Sequence, residues 1–126
     1  MALTNNKKML IYGFDKNDIA LIDELIIKNS VPNYVVIENS MISMKIKDIL
    51  KGLKIDVFTE KSFSERVILF NNLSDKELNI SIKEVSGVLN PRPILAVITP
   101  TSIEWDAAYL IEHLVEEREW FKNHKE

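Results

Sequence analysis

The sequence predicts an α/β protein: a small, mostly parallel four-stranded sheet with helices on both faces. Three observations predict it. Short apolar runs with little polar alternation recur along the 126 residues, as in MLIY, YVVI, VILF and ILAVI, and such runs fit strands buried on both faces. Segments of helical periodicity, opened by capping residues, stand between them. Strand and helix patterns then alternate through the chain, which argues for parallel strands joined by crossover helices.

Taken in order, Lys8 to Phe14 reads as the first strand, ending at Gly13. Asp15 is the N-cap of a helix carried by Ile19, Ile22 and Ile26 with Leu21 and Leu25, and Asn29, Ser30 and Pro32 stop it. Tyr34 to Glu38 is the second strand. Asn39-Ser40 opens a second helix over about Met41 to Leu53, with Ile42, Ile46, Ile49 and Leu53 as its apolar face and Gly52 fraying its end. Ile55 to Ser64 fits a short edge strand or an exposed linker about equally.

Arg66 to Asn71 is the third strand, and Ser74 with Glu77 forms a capping box for a third helix marked by Leu78, Ile82, Val85 and Leu89. Ile94 to Ile98 is the fourth strand, bracketed by Pro93 and Pro100. Thr101 and Glu104 have the spacing of a second capping box, opening a helix to about Trp120 with Ile103, Ala107, Leu110, Leu114 and Phe121 on its apolar stripe.

One domain over 1–126 is expected, its halves 8–54 and 66–122 joined by a connector, 55–65. The halves align at an offset of 59 residues, which matches Asp15 with Ser74, Asp18 with Glu77 and Pro32 with Pro91. They read as two β-α-β-α pseudo-repeats, and the expected strand order is 2-1-3-4. Four strands make a narrow sheet with open edges, so a homodimer is expected to cover them.

Composition narrows the function. The absence of cysteine excludes disulfides, thiolate metal sites and cysteine nucleophiles. A net charge of −3 gives no general argument for nucleic acid. No apolar run approaches the roughly 20 residues that span a bilayer, and Met1 to Lys8 lacks the apolar core of a secretory signal. No membrane association and a cytoplasmic location are the expectation.

Strand three through helix four, with VILFNNLSDKEL followed by RPILAVITPTSIEW and EHLVEEREWF, resembles a small bacterial family known as domain of unknown function 3783. LIYGF and MKIKDIL in the first half are similar to its longer members. The resemblance implies an α/β fold and brings no activity, cofactor or substrate.

In open α/β sheets ligands bind beyond the carboxyl ends of the strands. If the strands are parallel, those ends gather Gly13, Asp15, Asn39, Ser40, Asn71, Asn72, Thr99, Thr101 and Ser102 into one polar ring beside helix N-termini. A site for a small anion would then use Asn71, Asn72, Thr99, Thr101 and Ser102, with Trp105 as a ligand wall. The plainer reading is that these residues are caps and turn formers and that Trp105 packs the helix start onto the sheet. His113 and Glu117 lie at i, i+4, but no second well-placed histidine completes a metal motif, and His124 is in the tail. No catalytic set, metal or cofactor is expected, and the protein leans away from being an enzyme.

Lys47, Lys51 and Lys54 repeat the spacing of Glu112, Glu116 and Glu119, which suggests an electrostatic match within the chain or across a dimer. The sequence therefore supports two functions. One is a homodimeric interaction or regulatory module using a sheet edge or the Trp120-Phe121 end. The other is a binder of a phosphate or carboxylate at the strand ends.

Overall fold

A computed structural model describes residues 7–57 and 59–123. Strand β1 (Lys8–Tyr12) leads through helix α1 (Lys16–Ile27) to β2 (Tyr34–Val36) and the short helix α2 (Ile46–Leu50). β3 (Val67–Asn71), α3 (Asp75–Val88), β4 (Ile94–Val97) and α4 (Ala107–Asn123) repeat that succession. The strand order is β2-β1-β3-β4, as the sequence predicts.

The sheet is mixed, which corrects the expectation of a mostly parallel one. β1 pairs with β2, and β3 with β4, in parallel, but the central pair β1–β3 is antiparallel. The cause lies in α2. A helix over 41–53 would be about 20 Å long and could return the chain across the sheet, whereas the observed helix has five residues and spans about 7.5 Å. The chain therefore stays at the rim where β2 ends and enters β3 from there, opposite in direction to β1.

Tertiary pairing explains why the helix is short. Asn39–Met41 forms a 3₁₀ turn, and Lys45 is extended and bridges Asp106. The Ile46 N–H donates to the Trp105 carbonyl, and the Ala107 N–H to the Met44 carbonyl, both at 2.9 Å. These long-range bonds hold residues 44–46 in a conformation that a helix begun at Met41 cannot share.

The same pairing shifts the start of α4. Residues 102–104 form a 3₁₀ turn and Thr101 makes no side-chain cap bond, so the expected Thr101–Glu104 capping box does not form. Glu104 pairs instead with Lys47 at 2.9 Å, and the Asp106 carboxylate caps α4 by accepting from the Tyr109 N–H at 2.7 Å. The Asn39-Ser40 cap expected for the second helix does not form either, since neither the 3₁₀ turn at 39–41 nor α2 has a side-chain cap bond, whereas the caps of α1 and α3 hold. Asp15 accepts from the Asp18 N–H, and Ser74 and Glu77 form the full reciprocal box.

Period-two alternation splits the central strands between two cores. Leu10, Tyr12, Val67 and Leu69 face α2 and α4, meeting Ile46, Ile49, Leu110 and Ile111. Met9, Ile11, Ile68 and Phe70 face α1 and α3, meeting Ile22, Leu25 and Val85. Helices thus cover both faces, as expected, and burial on both sides explains why these strands carry no polar alternation.

The connector contains no strand among its described residues; Phe58 lies outside them. Of its two readings, the linker holds. It is tied down at points: the Val57 N–H donates to the Ser40 carbonyl, and the Phe63 N–H to the Tyr12 hydroxyl at 3.1 Å. Among the described residues, no helix is long and apolar enough to cross a membrane.

Candidate functional site: the two strand-end rims

Because β1 and β3 run in opposite directions, the single polar ring does not exist. The ends of β1 and β2 place Gly13, Asp15, Asn39 and Ser40 on one rim. The ends of β3 and β4 place Asn71, Asn72, Thr99, Thr101 and Ser102 on the other.

On the second rim, Asn71, Asn72 and Thr99 meet Ile98, Pro100 and Ile103 around a hollow of about 240 Å³. Asn71 is nearly buried, and Asn72 holds a left-handed conformation at φ 63°. Thr99 and Ser102 serve each other: the Thr99 N–H donates to Ser102 Oγ and the Ser102 N–H to Thr99 Oγ1, both at 2.9 Å. That reciprocal pair closes the turn after β4, in line with the turn-former reading. Thr101 is exposed and does not line the hollow. Trp105 packs against the α2/α4 core, with Tyr109 and His113 edge-on to its ring at 4.8 and 5.4 Å.

The first rim is covered by the connector. Tyr12 donates its hydroxyl proton to Asn39 Oδ1 at 2.8 Å, and Asn39 Nδ2 donates to the Lys61 carbonyl at 2.8 Å. The Phe63 ring stands edge-on to Tyr12, with centroids 6.1 Å apart. Ser40 Oγ donates to Asp56 at 2.6 Å. Sequence reasoning missed this clasp, because 55–64 has no periodicity to reveal which of its residues turn inward.

Electrostatics at the helix starts disfavour an added anion. The first turns of α1 and α3 carry Asp18, Asp75 and Glu77, and each cap already takes the N–H of the third helical residue, Asp18 or Glu77. The Lys7 ammonium, 2.8 Å away, and the Ser74 N–H hold the Glu77 carboxyl down at about 2. Behind the connector, Arg118 grips Glu65 through two parallel bonds of 2.6 and 2.8 Å, which keeps that carboxyl below its usual range.

The lysine and glutamate rows do not meet within the chain. Lys47 pairs with Glu104, Lys54 with Glu38, and Glu112 with Lys61. Among the described residues, no group of three or more His, Cys, Asp or Glu side chains could hold a metal ion.

The other exposed feature is the β4 edge. The N–H groups of Ile94 and Ile98 are spent on the Arg66 and Phe70 carbonyls, so the N–H groups of Leu95 and Val97 point outward by strand alternation. Beside them, Pro93, Ile94, Leu95, Leu114 and Phe121 wall a groove of about 340 Å³. Val97, Trp120 and Phe121 are 47%, 52% and 63% exposed.

Fold and rims together define a small α/β protein with a mixed sheet, two strand-end rims and an apolar open edge. Residues 66–121, from the lead-in of β3 to the last turns of α4, match the family model described as Domain of unknown function (DUF3783). No curated protein and no solved structure matches the chain.

Proposed function

We propose that the protein is a non-enzymatic interaction module that self-associates through the β4 edge. The observation that carries this is the outward row of Leu95 and Val97 backbone groups on an edge where Val97 is exposed, with the exposed Phe121 sharing a groove with Leu95. An uncovered apolar edge strand is a template for another strand. A two-fold axis would pair β4 with β4 of a second copy and bring Phe121 into the interface. Sedimentation of the full chain over a range of concentrations tests this. Twice the monomer mass, reverting to one on Val97→Lys with Phe121→Ala, supports it; a monomer at millimolar concentration overturns it.

The two halves, in this reading, are copies of one β-α-β-α unit related by an approximate dyad. Several pairings support it. Leu10 faces Leu69, 59 residues on, and the Lys7–Glu77 and Arg66–Asp18 ion pairs exchange under the same offset. Gly13 and Asn72, also 59 apart, both have positive φ. α3 is two residues longer than α1, so beyond it the offset becomes 61. That offset exchanges the Ile46–Trp105 and Ala107–Met44 bonds.

The second reading, a phosphate or carboxylate bound by Asn71, Asn72, Thr99, Thr101, Ser102 and Trp105, draws support from the hollow at β3 and β4. It is weakened by the Thr99–Ser102 pair and by the acidic, self-capped helix starts. Thermal shift with inorganic phosphate and with acetate separates the two readings, because the interaction module predicts no response.

A further inference from the structure

The two ion pairs exchanged by the 59-residue offset are not equally furnished. Arg66 Nη1 donates to Asp18 Oδ2 at 3.2 Å, Nη2 donates to the Pro91 carbonyl, and the guanidinium lies over the Phe14 ring at 5.7 Å from its centre. It is held on three sides, and the two side chains of that pair are only 19% and 21% exposed. Lys7 makes one bond, to Glu77 Oε2, and its pair is 51% and 41% exposed. Leu73 stands where the offset places Phe14, and the Ser30 loop stands where the Pro91 loop does.

What the Arg66 guanidinium fills on one side is open on the other. Behind Lys7 lies a hollow of about 370 Å³ walled by Ile26, Ser30, Pro32, Leu73 and Ile80, with Glu77 at its mouth. Glu77 is pre-oriented, since Oε1 accepts from the Ser74 N–H at 2.9 Å. An ammonium on a lysine stem offers a point charge and cannot occupy this space as a flat group can.

We propose that this hollow binds a guanidinium group, borne by a free alkylguanidine or by an arginine side chain, which displaces the Lys7 ammonium from Glu77 and lays its stem on Leu73 and Pro32. The planar fork matches a carboxylate through two parallel bonds, and its weak hydration suits a partly apolar wall. Lys7 is then an internal competitor, and arginine at that position would be an internal ligand.

Amide chemical shifts of the full chain test this, titrated with ethylguanidinium, with ethylammonium, and with a short peptide carrying one arginine. Saturable shifts at Ser30, Leu73 and Glu77 are expected with guanidinium at least about fivefold tighter than with ammonium. Lys7→Ala binds more tightly than the parent chain. Lys7→Arg loses the response and melts at a higher temperature. Glu77→Gln also loses it, with α3 retained by circular dichroism. Tighter binding of the peptide than of ethylguanidinium assigns the group to a protein partner, and equal binding assigns it to a free guanidine. Absence of saturable shifts in both the parent and Lys7→Ala, or undiminished binding by Lys7→Arg, overturns the proposal.

Discussion

Leu10 lies directly opposite Leu69 at the centre of the antiparallel β1–β3 pair, both at most 1% exposed, where the two halves of the chain meet. Each side chain belongs to the core beneath α2 and α4. Truncation to alanine leaves a cavity that the neighbouring strands cannot close. Leu10→Ala and Leu69→Ala are each expected to cost about 3 kcal/mol in urea unfolding. The double variant should depart from the sum by more than about 0.5 kcal/mol, because the two residues share a contact.

The start of α4 separates a cap the sequence suggests from the cap the fold uses. Asp106→Ala removes the 2.7 Å bond to the Tyr109 N–H and should cost about 1 kcal/mol. Thr101→Ala removes a side chain with no cap bond and should change stability by less than about 0.5 kcal/mol. Thermal melts of the two variants compare them directly.

Gly13 turns the chain out of β1 at φ 87°, and a Cβ there would run into the Glu65 carbonyl oxygen. Both the left-handed backbone and the close approach demand glycine. Gly13→Ala should cost about 3 kcal/mol, measured by chemical denaturation.

Acid should weaken the fold through Glu77 and Glu65. Both carboxyls lie below their usual values in the folded protein, Glu77 at about 2, held by Lys7 and Ser74, and Glu65 held by Arg118. The unfolded chain therefore binds more protons between about pH 5 and 2. The stability these groups contribute is fully present above about pH 5 and is lost as pH falls below it, for Glu77 through about 2. Urea midpoints should drop over that window, and less steeply in Glu77→Gln and Glu65→Gln.

Much of the fold was legible because local signals and tertiary packing agreed. The apolar runs at Leu10, Val35, Leu69 and Leu95 marked the strands, and Asp15 and Ser74 marked two helices. The strand order agrees with the expected one, although alternation and right-handed crossovers only narrow the choice of orders. Direction was not legible, because it turned on the length of α2. Ile42, Ile46 and Ile49 have helical spacing whether the helix begins at Met41 or at Ile46. What decides is the pairing of Lys45 with Asp106, 61 residues away. The candidate site was readable only in part for the same reason. Asn71, Asn72 and Thr99 share one half and stayed together, whereas the residues of the two halves separated once β3 reversed. The Tyr12–Asn39 clasp on Lys61 and Phe63 left no trace in local pattern.

Strand direction is the claim on which both rims, the open β4 edge and the Lys7 hollow depend. Carbonyls and N–H groups of Met9 and Ile11 face β2, so Met9–Phe70 and Ile11–Ile68 are the non-hydrogen-bonded pairs of the central ladder, with closely spaced Hα atoms. Nuclear Overhauser spectra of the labelled protein should show strong Hα–Hα cross-peaks for Met9–Phe70 and for Ile11–Ile68. Their absence, with the sequential cross-strand pattern of a parallel β1–β3 pair in their place, would contradict the account.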